Sequence, residues 1–158
     1  MNENAMNGQL NTARPIAMVA MFVLCLTLAF FWYVFPGQVG FRKKWRRGMQ
    51  LSGIISMLTG MFIFTDLHDS IINIAGAFAL VAVIGTFIGV YMLKWRKLFT
   101  MGIFNVILIA LNNILYYGDD LKMYLPTVQK ITFLSFLLWI GLITVGLYRS
   151  KKYPVTRF

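Results

Sequence analysis

The chain reads as an all-α polytopic membrane protein, a helical bundle of five transmembrane helices. Three observations predict this class. Hydrophobic residues make up 59% of the chain and charged residues 13%, with a mean hydropathy of +0.71, whereas a soluble domain carries roughly a quarter charged residues. The apolar residues fall in five runs long enough to be helices in lipid, separated by short polar segments. The charges also sort by side when those segments are placed alternately on two faces. One face collects Arg42, Lys43, Lys44, Arg46, Arg47, Lys94, Arg96, Lys97, Arg149, Lys151, Lys152 and Arg157, twelve of the fifteen basic residues. The other keeps Arg14, Lys122 and Lys130 together with every acid, Glu3, Asp66, Asp69, Asp119 and Asp120. Lys and Arg hold short loops in the cytoplasm. The N-terminus is therefore expected outside and the C-terminus in the cytoplasm, in a multi-pass protein of the cell membrane (the cytoplasmic or inner membrane).

Residues 1–15 are polar and Asn-rich and end at Pro15, which predicts a disordered tail. The first span, 16–35, has no charge and about 30 Å of helical length. No basic segment or clear small-residue cleavage site accompanies it, so a retained helix is expected rather than a signal peptide. Pro36-Gly37 is expected to end it. A basic loop around Trp45 leads to the shortest span, 49–64, where Ser52, Ser56 and Gly60 suggest a small-residue packing stripe. The tight polar turn Thr65-Asp66-Leu67-His68-Asp69-Ser70 follows. Span 71–93 has Ala75, Ala79 and Ala82 on one side and the pair Gly85 and Gly89 near its inner end, expected to pack within the chain. Lys94-Trp95-Arg96-Lys97 closes it. Span 98–117, the longest outer loop at 118–130, span 131–148 and a basic tail at 149–158 complete a single transmembrane domain over 16–148. Aromatic residues gather near the span ends, as interfacial belts do.

Net charge is +10, but the basic residues sit at membrane ends, so anionic lipid headgroups are the expected partners and nucleic acid is not. Anionic-lipid contact is expected at Arg42, Lys43, Lys44, Arg46, Arg47, Lys94, Arg96 and Lys97. The single cysteine, Cys25, lies in an apolar run and cannot form an intrachain disulfide.

The richest polar constellation falls at the outer ends of spans two to five. Its ligand-binding candidates are Asp66, His68, Asp69, Asn73, Asn112, Asn113 and Gln129, near the acids Asp119 and Asp120. Amides about one turn inside a span prefer a bundle interior or a wet cavity. Carboxylates beside an imidazole and amides suit a cation, a basic headgroup or a partner's lysine. The plainer reading is a solvated turn in which Asp69 or Ser70 caps the next helix. One histidine is few for a metal centre, and no nucleophilic triad or phosphate loop is legible. No metal or cofactor is expected, and no enzyme. Asn105, near the middle of span four, is expected to bond to a neighbouring helix, and Trp139 to pack. No charged residue lies at mid-membrane, which argues against coupled ion transport.

The segments Phe64-Thr65-Asp66-Leu67-His68-Asp69 and Gln129-Lys130-Ile131, followed by Trp139 in the last span, carry a resemblance. The chain resembles uncharacterised bacterial multispan membrane proteins of unknown function, distantly similar to the Frag and DRAM membrane families, over about residues 16–148. That resemblance implies a compact membrane bundle on a six-span pattern with the first span missing, and no established reaction. Two functions are expected to compete. One is a non-catalytic accessory or scaffolding subunit of a membrane complex, with a protein partner or self-association. The other is binding or sensing of a lipid headgroup, cation or small molecule at the outer polar cluster.

Overall fold

The computed structural model describes residues 12–65 and 67–152; within them, the side chains of Ala13, His68, Asp69, Asp119, Asp120, Lys151 and Lys152 are left aside. The described residues are helical, with α1 at Ala13–Val39, α2 at Lys43–Gly60, α3 at His68–Met92, α4 at Arg96–Tyr117 and α5 at Leu125–Lys152. A 3₁₀ segment, Asp119–Tyr124, precedes α5. Four helical stretches are long and apolar enough to cross a membrane: Arg14–Val39, Ser70–Met92, Arg96–Tyr117 and Leu121–Ser150. The exception is α2, because its first turns are Lys43, Lys44, Trp45, Arg46 and Arg47.

Most polar segments expected as loops are helix instead. The basic loop contributes the first turns of α2, leaving only Gly40 to Arg42 between α1 and α2. Lys and Arg are good helix formers, and nothing in that segment breaks a helix. Pro36 does not end α1 either. The helix runs on to Val39 and stops at Gly40, whose φ of 83° is the left-handed turn that glycine supplies. Proline forfeits one helical bond. The carbonyl that loses its helical donor is that of Trp32; Gln50 Nε2 of α2 donates to the next carbonyl, of Tyr33, at 2.6 Å. His68, Asp69 and Ser70 form the first turn of α3, with Ile71 N–H donating to the Leu67 carbonyl, so the cap expected at Asp69 or Ser70 falls earlier. The loop expected at 118–130 is the 3₁₀ segment plus the start of α5, where Pro126 sits in the first turn and needs no donor. The expected tail lies mostly outside the described residues, and Ala13 to Pro15 already belong to α1. At the other end, 149–152 continue α5 and 153–158 lie outside the described residues.

The chain divides into two compact units, 1–86 and 87–158. In the first, α1 and α2 form an antiparallel hairpin. Along α1, Cys25, Leu28, Trp32 and Phe35 are buried; along α2, Met49, Gly53 and Ser56. The stripe on α2 therefore runs through Gly53, not Ser52. A strict four-residue series drifts off the contact face of a helix with 3.6 residues per turn, and alternating steps of three and four stay on it. Gly53 is indispensable there, because a Cβ on it would lie 2.5 Å from the Trp32 Cβ. The first part of α3 joins through side chains. Ser56 Oγ donates to the Ala75 carbonyl at 2.8 Å, and Trp32 Nε1 donates at 3.2 Å to Thr86 Oγ1, which donates onward to the Ala82 carbonyl. Gly85 packs within the chain, under Met49.

Past Gly60, α2 tightens. Phe62, Ile63 and Thr65 N–H groups donate to carbonyls three residues back, at Thr59, Gly60 and Phe62. This 3₁₀-like continuation rises about 2 Å per residue instead of ~1.5 Å.

In the second unit α4 and α5 pack antiparallel. Trp139 is the hub: Nε1 donates to the Leu98 carbonyl at 2.7 Å, and the ring lies 5.3 Å from Phe87 and 5.9 Å from Phe136, centroid to centroid. Gly102 makes room for it, since a Cβ there would come within 2.7 Å of Trp139 Cζ2. The turn from α3 to α4 closes as a Schellman motif: Trp95 N–H donates to the Val90 carbonyl and Lys94 N–H to the Tyr91 carbonyl. Glycine is the usual residue at the left-handed position of that motif. Here it is Lys94, with φ 58°, at a cost of about 1–2 kcal/mol.

Candidate functional site

The outer candidates divide into those the structure positions and those it leaves aside. Asp66 lies outside the described residues, and for His68 and Asp69 only the backbone, in the first turn of α3, is described. Asn73 is exposed on α3 and Gln129 on α5. Asn113 is exposed on α4 and donates to its own helix, at the Ile109 carbonyl 3.0 Å away. Asn112 is half-buried and, among the described residues of this set, makes the one bond between elements. Its Nδ2 donates to Thr132 Oγ1 of α5 at 2.6 Å and to the Leu108 carbonyl at 3.1 Å. Thr132 donates in turn to the Val128 carbonyl. Asn112 Oδ1 is buried without a partner.

Nothing in its local sequence marks Thr132 as a partner. The available signal was its place one helical turn past Gln129, a hydroxyl at the same level of α5 that Asn112 occupies on α4. The structure thus brings Asn112 and Thr132 together within the second unit. Among the described residues, no group of three or more His, Cys, Asp or Glu comes together.

Deeper in α4, Asn105 is 1% exposed. The expectation that it bonds to a neighbouring helix is corrected: Nδ2 donates to the Met101 carbonyl of its own helix at 3.1 Å. Short polar side chains turn back in this way when no acceptor faces them. The link between α4 and α5 at this end is made by Trp139 instead. Asn105 Oδ1, like Asn112 Oδ1 seven residues on, is buried and unpartnered. Seven residues are about two turns, so both amides share the face of α4 that carries Gly102, Leu108 and Leu115.

The basic residues are exposed at helix starts. Arg42 is the N-cap of α2, with Lys43, Lys44, Arg46 and Arg47 in its opening turns, and Arg96 and Lys97 open α4. Neither first turn contains an acid. This reverses the usual preference, since a helix N-terminus carries about half a positive charge and favours acidic side chains. The side chains at both places therefore present positive charge to an external anion.

No protein-family model, no curated protein and no solved structure matches this chain.

Proposed function

We propose that the chain is a non-catalytic accessory or scaffolding subunit, crossing the cytoplasmic membrane five times with its N-terminus outside and its C-terminus in the cytoplasm. The fifth crossing is α2 with its 3₁₀ continuation. Met49 to Gly60 rises about 18 Å as α-helix and Met61 to Phe64 adds about 8 Å, against a hydrocarbon core of about 30 Å that thins to meet a short span. The charge pattern supports this crossing. Were α2 to stay on one side, Arg42, Lys43, Lys44, Arg46, Arg47, Lys122 and Lys130 would face Arg14, Lys94, Arg96, Lys97, Arg149, Lys151, Lys152 and Arg157, and the twelve-to-three bias would vanish.

The observation that carries the scaffold reading is how the spans use their surface. Between 17% and 28% of each long apolar window is buried inside the chain, and the hydroxyls and amides within the spans are mostly spent on their own helices. Thr27, Thr132, Thr144, Asn105 and Asn113 all bond to carbonyls four residues back. Large apolar faces remain for contact, including Phe22, Phe30 and Phe104. Anionic lipid along the cytoplasmic basic rim is the second partner. Purification of the tagged chain at native level in mild detergent tests the role. A stoichiometric protein partner or a defined oligomer is expected, and a lone monomer would reject it.

A second reading, a small-molecule, cation or headgroup site at the outer level, draws support from Asn112, whose buried Oδ1 has no partner beside Thr132. A ligand retained through purification and lost in Asn112→Leu would favour it over the scaffold.

A further inference from the structure

At the α3–α4 turn the second unit holds an open cavity of about 650 Å³ lined by residues from Val90 to Thr100. That volume lies within the roughly 300–1,000 Å³ of ligand sites. Two kinds of surface meet in it. Val90, Met92 and Phe99 are apolar, with the Tyr91 and Phe99 rings 5.9 Å apart. Lys94 and Arg96 supply the polar end, and both are exposed. Between them Trp95 is pinned in place, its ring edge so close to Gly146 that a Cβ there would lie 2.8 Å from Cη2. The chain has no acid between Asp69 and Asp119, so the segment that forms the cavity carries no carboxylate of its own. The N-terminus of α4 at Arg96 and the C-terminus of α3 at Met92 meet here with opposite dipole ends, so the side chains of Lys94 and Arg96 set the positive sign. Lys94 also occupies the position that glycine fills at least cost, so a basic side chain stands there against the local preference of the backbone.

We propose that this cavity is a discrete site for an anionic phospholipid, with the phosphate between Lys94 and Arg96 and the first part of the acyl chains against Tyr91 and Phe99. A point charge and a planar guanidinium are suited to a phosphate, and an apolar wall continuous with the charged end suits a lipid better than a soluble phosphate. The site rests on the membrane placement above but not on the scaffold role: a lone monomer in the partner experiment removes that role and leaves this site standing.

The test is native mass spectrometry of the full chain titrated with phosphatidylglycerol in mixed micelles. The pocket variant carries Lys94→Gly and Arg96→Gln; a control variant of equal charge loss carries Lys151→Gln and Lys152→Gln, in the basic tail. The pocket variant should bind its first phosphatidylglycerol on the order of tenfold more weakly, while the control changes by less than about threefold. Equal losses in both, or unchanged binding in the pocket variant, would overturn a discrete site in favour of diffuse attraction along the rim. Lys94→Gly alone separates binding from folding, because glycine relieves the left-handed backbone. Its thermal midpoint should hold or rise while lipid binding falls, and a fall in both would count against the site. Soluble glycerol phosphate at millimolar concentration should not displace the lipid, and displacement would overturn the lipid assignment.

Discussion

The α1–α2 hairpin and the α4–α5 hairpin solve the same packing problem differently. In the first, helix contact depends on a missing side chain, with Gly53 laid against the Trp32 Cβ. The Trp32 indole of α1 and the buried Ser56 hydroxyl of α2 both bond across to the first part of α3, at Thr86 Oγ1 and the Ala75 carbonyl. In the second, contact depends on rings swung over small residues, Trp139 over Gly102 and Trp95 over Gly146. The amides of Asn105 and the half-buried Asn112 each keep a buried acceptor without a partner. A closed polar network in an apolar setting rigidifies a structure, and an incomplete one costs stability. The first hairpin is therefore built to hold its shape, and the second keeps open polar capacity in its interior and a cavity at one end.

Glycine replacements would break this contrast most sharply. Gly53→Val should cost about 3 kcal/mol or more, because the clash is with a Cβ, which moves only with its helix. Gly102→Ala meets the ring edges of Trp139 and Phe87, which can swing, and should cost about 1–2 kcal/mol. Gly85→Ala meets the flexible end of Met49 and should cost less than about 1 kcal/mol. Unfolding by SDS in mixed micelles ranks the three, and a reversed order would end the distinction between the hairpins.

Polar replacements sharpen it. Ser56→Ala removes a bond to the Ala75 carbonyl and should cost about 0.6 kcal/mol, the average for such bonds in a membrane. Asn105→Leu discards a buried orphan acceptor and should be neutral or stabilising by up to about 1 kcal/mol. The same SDS titration reads both, and a large loss in Asn105→Leu would mean that Oδ1 has a partner in the membrane. A small effect of opposite sign is expected at Lys94→Gly, a gain of about 0.5–1 kcal/mol once the released left-handed strain is offset by glycine's extra freedom in the unfolded chain, visible as a raised thermal midpoint.

The helical class and the existence of five helices could be read from the apolar runs, because lipid permits few alternatives to a helix. Their ends could not. Polarity marks where a chain leaves the hydrocarbon, not where its helix stops, so Lys43 to Gly48, His68 to Ser70 and Leu125 to Lys130 look like loops and are helical. That Asn112 is a polar group facing a neighbouring helix was readable from its depth inside a span. Its partner Thr132 was not, because the level of one helix against another is set by packing around Trp139 and Gly102, which no local pattern encodes. The cavity beside Lys94 escaped for a related reason: its charges are visible in the sequence, but the left-handed turn that gathers Tyr91, Trp95 and Phe99 around them is not, since Lys stands where glycine would have announced it.

The central claim is that α2 crosses the membrane, and probes on either side of it test that most directly. Single cysteines at Gln38→Cys and Ser70→Cys, each in a Cys25→Ala background, flank α2 and its 3₁₀ continuation. With a membrane-impermeant thiol reagent on sealed, correctly oriented vesicles or cells, Ser70→Cys should label from outside and Gln38→Cys only after the cytoplasmic face is opened. Labelling of both from the same side would place α2 on one surface, dissolve the charge asymmetry and contradict the five-crossing bundle.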